Sequence, residues 1–85
     1  MNIPYINESY FEEVHLKVIY RFYTPGLSRD AFVRKIKHAI KISEDMKLAE
    51  SLRIFGPESE YKKWLYYMEN RFVFYYILSM MDEQY

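Results

Sequence analysis

Arg29, Arg34, Lys35, Lys37, His38 and Lys41 are the residues of this chain whose types and spacing come nearest to a chemistry. At about 100° per residue, Arg34, Lys37, His38 and Lys41 fall within one arc of a helix. Cationic side chains so arranged neutralise phosphate charge and release counterions, and a helix that bears them can lie along a nucleic acid. The same pattern is the ordinary solvated face of an amphipathic helix. A sequence pI of about 6.7 is far below that usual for a nucleic-acid-binding domain. The solvated face is therefore the first reading, and a nucleic-acid-binding regulator using residues 29–41 is the alternative.

The charge is balanced in total, 12 Lys and Arg against 12 Asp and Glu, but unevenly spread. Residues 28–42 hold five Lys/Arg against one Asp. Residues 1–27 hold two against three, and residues 43–85 five against eight. A middle of +4 thus lies between flanks of −1 and −3.

Other chemistries find less support. His15 and His38 share no motif and make a poor metal site. The absence of Cys removes disulfides, thiolate ligands and Cys nucleophiles together. There is no Gly-rich phosphate loop, HExxH or GxSxG. The acidic pairs Glu12-Glu13 and Glu44-Asp45 stand where helix starts favour carboxylates. A helix-turn-helix over residues 46–64 fails at its turn, where Arg53 replaces the customary Gly, and at its reading helix, which opens with Glu58-Ser59-Glu60. No catalytic, cofactor-binding or metal-ligating residue is assigned, and the chain is read as non-enzymatic with no small-molecule substrate.

The elements that must carry these residues follow from punctuation and periodicity. Eighty-five residues make one domain, 51% apolar and 20% aromatic, with two Gly and three Pro. Residues 1–8 read as an extended lead-in, because Pro4 disfavours helix at Ile3. Ser9 with Glu12 matches a capping box and starts a helix over 9–23. Thr24-Pro25-Gly26 is a turn, and Ser28 caps a helix over 28–42 with Phe32, Ile36, Ala39, Ile40 and Ser43 on its inner side. Ser43-Glu44-Asp45 restarts a helix over 43–55, or bends a single one. Gly56-Pro57 stops one helix and opens the last, over 57–82, whose stripe runs Tyr61, Trp64, Leu65, Met68, Phe72, Tyr75 and Tyr76. This segment is expected to supply most of the core. The fold class is all-α, a small three- to four-helix bundle.

A strand reading competes at two places. Residues 14–23 alternate and favour β, and the run FVFYYIL at 72–78 can pair across a Glu69-Asn70 hairpin turn. That α+β alternative, with strands at 14–23 and 64–78 and a terminal antiparallel hairpin, resembles the order of elements in small bacterial ribonuclease toxins of the RelE/ParE type. Those toxins are usually basic, and no matching motif stands here, so the toxin is the second alternative.

Ten Tyr, six Phe and one Trp exceed what a bundle of this size hides, so some must be exposed or shared with a partner. Tyr and Trp bury large areas while keeping a polar handle, which suits interfaces. The function expected is protein–protein interaction or regulation. A homodimer is expected through the aromatic-rich C-terminal helix, with Trp64, Tyr67, Phe72, Phe74, Tyr75, Ile77 and Leu78 at the contact. An unknown protein partner is the other source of cover. Chains of this kind are common among accessory proteins of mobile elements. The uncharged run Phe72–Met81 is about half a membrane span, and no basic-then-apolar signal opens the chain, so a cytoplasmic location off the membrane is expected.

Overall fold

The computed structural model describes residues 3–85 as five α-helices: α1 (Glu13–Phe22), α2 (Arg29–Ser43), α3 (Met46–Phe55), α4 (Glu58–Glu69) and α5 (Arg71–Met80). A 3-10 turn, Glu8–Tyr10, precedes them. There is no strand among the described residues. Segments 14–23 and 64–78, the sites of the strand reading, are helical apart from breaks at Tyr23 and Asn70, so the strand order behind the toxin resemblance is absent. None of the described helices is long and apolar enough to cross a membrane.

The local signals act largely as the residue types dictate. Ser28 Oγ accepts from the Ala31 amide at 3.1 Å and opens α2, with Asp30 in the first turn and Lys41 in the last. Asp45 Oδ1 accepts from the Leu48 amide at 3.0 Å and opens α3, so 28–55 is two helices and not one bent one. Gly56, at φ +61°, ends α3, and a side chain there would strain the backbone. Glu58 and Glu60 fill the first turn of α4 behind Pro57.

The first helix starts later than the Ser9–Glu12 box predicts. Asn7 Oδ1 takes the Ser9 amide at 3.1 Å and caps only the 3-10 turn. Phe11 is then extended, at φ −124° and ψ 141°, which drops its ring into the core. The cap of α1 moves to Glu12, whose amide donates to His15 Nδ1 at 3.2 Å.

The expected helix over 57–82 is also divided. Asn70, at φ −103° and ψ 13°, turns the chain, and the Tyr66 carbonyl accepts both its backbone amide at 3.1 Å and its Nδ2 at 2.8 Å. The turn lets α4 pack on α2 and α3 while α5 packs on α2.

The centre of the core is α2 rather than the C-terminal segment. It touches α1, α4 and α5 and buries Phe32, Val33, Ile36, Ala39, Ile40 and Ser43. Around it lie Ile3, Ile6, Phe11, Val18, Ile19, Phe74, Ile77, Leu78 and Met81. The lead-in is docked through Ile3 and Ile6, and the Tyr5 hydroxyl donates to the Leu27 carbonyl at 2.8 Å. At the other end, Arg29 Nη1 meets Glu83 Oε2 at 2.9 Å, Lys37 reaches Glu83 Oε1 at 3.6 Å, and Arg29 also donates to the Met81 carbonyl. Trp64 and Ala49 form a smaller contact zone under α3, with Trp64 Nε1 donating to the Ile42 carbonyl at 2.9 Å.

Candidate functional site

The basic residues of α2 divide into two sets. Arg29 and Lys37 both reach the one Glu83 carboxylate, Arg29 at 2.9 Å and Lys37 at 3.6 Å, so one of their two positive charges is answered within the chain, chiefly that of Arg29. The same contact holds the Glu83 carboxyl below its usual range, chiefly through the Arg29 hydrogen bond. Arg34, Lys35, His38 and Lys41 are exposed, and none makes an ion pair among the described residues.

Lys35 and His38 line a groove of about 750 Å³ whose other walls come from α1 and α4. Arg21 and Phe22 contribute from α1, and Ser59, Lys62, Lys63, Tyr66 and Tyr67 from α4. The Arg21 guanidinium lies 4.2 Å over the Tyr66 ring, and Lys63 Nζ is 5.9 Å from the centre of Tyr67. Burial raises the Tyr66 phenol and Arg21 opposes that rise, so its hydroxyl stays protonated at neutral pH. No carboxylate lines the groove. Of its cations, Lys62 pairs with Glu58 at 3.3 Å, and both groups are well exposed, so the pair is weak. Periodicity along α2 finds Lys35 and His38 but misses Arg21, Ser59, Lys62, Lys63 and Tyr66, which only the tertiary fold brings to them.

The aromatic residues expected at an interface are sorted by the turn at Asn70. Trp64, Phe74, Ile77 and Leu78 are buried in the chain's own core, so they are removed from any contact this fold makes with a partner. Tyr67 and Tyr75 are half-buried: Tyr67 packs on Phe22 and Phe74, and the Tyr75 hydroxyl reaches Glu44 at 3.4 Å. Phe72 alone of the seven is fully on the surface, 79% exposed.

Phe72 begins a second surface. With Tyr76, Ser79 and Met80 it forms the outer face of α5; these four side chains are uncharged, and the Arg71 guanidinium borders them, 5.7 Å from the centre of the Phe72 ring. The Tyr76 hydroxyl donates to the Tyr10 carbonyl at 2.8 Å, and the His15 ring lies 5.1 Å from the Tyr76 ring. Tyr10 and Val14, both exposed, therefore adjoin this face. The spacing of Phe72, Tyr76 and Met80, one side of a helix, is legible once the helix is restarted at Arg71.

Among the described residues no three His, Cys, Asp or Glu side chains gather as metal ligands do. His15 is occupied at the start of α1, and His38 lies in the groove. No protein-family model matches this chain, and no curated protein or solved structure matches it either.

Proposed function

We propose that this chain is a non-catalytic protein–protein interaction module that pairs with a second copy of itself through the outer face of α5. The observation that carries the reading is a surface helix face made of the uncharged side chains Phe72, Tyr76, Ser79 and Met80, with Tyr10 and Val14 beside it and Arg71 at its edge. Side chains of this kind dominate the energetics of protein contacts. A second copy suits the face because α5 begins with Arg71 and is followed by Asp82. Arg71 faces Glu44 of its own chain only at 3.9 Å and part-exposed, so an antiparallel two-fold pairing can still set it toward Asp82 of the other copy, while Phe72, Tyr76 and Met80 meet across the axis. The inner face of α5 is already filled by Phe74, Ile77 and Leu78, so pairing needs no unfolding.

Size-exclusion chromatography with light scattering tests this. The protein is expected to run as a dimer at about 100 µM, and Phe72→Glu to run as a monomer with its far-ultraviolet helical spectrum kept. The charge is buried twice in a symmetric contact, so the dimer constant weakens roughly a hundredfold or more. A wild-type protein that stays monomeric at that concentration, or a Phe72→Glu variant that dimerises equally well, overturns the reading.

A further inference from the structure

We propose that the groove between α1, α2 and α4 binds single-stranded nucleic acid. Four fixed cations, Arg21, Lys35, Lys62 and Lys63, converge on it from three helices, with His38 among them. A solvated helix face needs no such convergence, and gathering like charges in a concavity raises their mutual repulsion. A polyanion removes that repulsion and releases counterions on binding.

The floor fits bases as well as phosphates. Tyr66 and Tyr67 supply aromatic surface between the cations. The Tyr66 ring covers one side of the Arg21 guanidinium at 4.2 Å, which leaves the other side as a plane for a base to stack on. The Ser59 hydroxyl and the protonated Tyr66 hydroxyl are neutral donors for phosphate oxygens. Arg34 and Lys41 continue the positive track along α2 outside the groove, whereas Arg29 and Lys37 do not, being held by Glu83. A duplex keeps its bases stacked inside a stiff rod, and a groove walled by three helices favours a strand whose bases are free. This surface is separate from the outer face of α5, and the inference stands whether or not the protein dimerises.

Fluorescence anisotropy with a labelled 12-nucleotide thymidine strand tests it, with salt varied from 50 to 200 mM. Neutralising about four phosphates predicts a slope near −3 in log affinity against log salt, from about −0.7 for each single-strand contact. Lys35→Glu/Lys63→Glu is expected to weaken binding more than tenfold, and the milder Lys35→Ala/Lys63→Ala to weaken it at least threefold. Lys17→Glu/Lys47→Glu, equal in charge change and outside the groove, is expected to weaken it less than threefold. Thermal melts of each variant check that the fold is kept. No binding at 50 mM salt, a flat salt dependence, or an equal loss in the control pair overturns the proposal. A duplex of the same length that binds as tightly, or uridine triphosphate that displaces the strand at equal concentration, also overturns it.

Discussion

Helices α2 and α5 pack against each other at the centre of the molecule, and each turns a second face to solvent. Inward they are alike: Phe32, Ile36 and Ile40 on one meet a core that also holds Phe74, Ile77 and Leu78 of the other. Outward they are opposites. The face of α2 shows Arg34, Lys35, His38 and Lys41, and that of α5 shows Phe72, Tyr76, Ser79 and Met80. Folding constrains the inner faces to be apolar and close-packed. It places little constraint on the outer ones, so their difference is where a functional distinction between the helices can reside. Water satisfies the charges on α2. It does not satisfy the rings and thioether on α5, and that exposed area is what a partner can cover.

The sharpest test of this contrast compares two phenylalanines two residues apart. Phe74 is fully buried, and Phe74→Ala is expected to cost about 3–5 kcal/mol in urea unfolding at low protein concentration. Phe72→Ala under the same conditions is expected to change stability by about 0.5 kcal/mol or less. Equal costs would mean that α5 has no distinct outer face. A smaller effect is expected where α4 is tied to the end of α2. Trp64→Phe loses the donor to the Ile42 carbonyl together with part of a buried ring, for about 2 kcal/mol by the same assay. No change there would remove that hydrogen bond from the account of how the groove walls are held.

The tie between Glu83 and α2 gives a pH dependence. The folded-state carboxyl is depressed by Arg29, so its contribution is present above the ordinary glutamate range and is lost as pH falls through the lower folded value. The wild-type melting temperature is expected to exceed that of Glu83→Gln at pH 6, and the gap to close toward pH 3. A gap that is constant with pH would show that the effect of the substitution is not ionic. The smallest effect is expected on the outer face of α2, where Lys41→Ala changes stability by about 0.5 kcal/mol or less. A large loss there would mean that this face is structural and not free.

Much of the fold was legible because its signals are local. Ser28 and Gly56-Pro57 act within a turn of themselves, and the inner stripe of α2 from Phe32 to Ser43 repeats at one period. The turn at Asn70 was not legible as a helix break. The apolar pattern continues through it, and the helix ends where the Asn70 backbone leaves helical angles, its side-chain amide joining its own backbone amide on the Tyr66 carbonyl. Missing that turn put the phase of α5 out of step, which is why the expected interface gathers Phe74, Ile77 and Leu78, residues of the inner face. The groove was illegible for another reason. Arg21, Lys35 and Lys63 belong to no common period, and only the packing of α1, α2 and α4 makes them neighbours.

Helix α3 has a different standing from the rest. It buries only Ala49, with Leu48 and Leu52 half-covered, and leaves Phe55 at 83% exposure. Detaching it from α4 uncovers the small zone of Ala49 and Trp64, whereas detaching α2 uncovers the whole main core. Amide hydrogens along residues 50–55 therefore exchange with solvent through local openings, while those in the middle of α2 wait for global unfolding. The molecule keeps two clocks, a fast one in the arm formed by α3 and a slow one around α2.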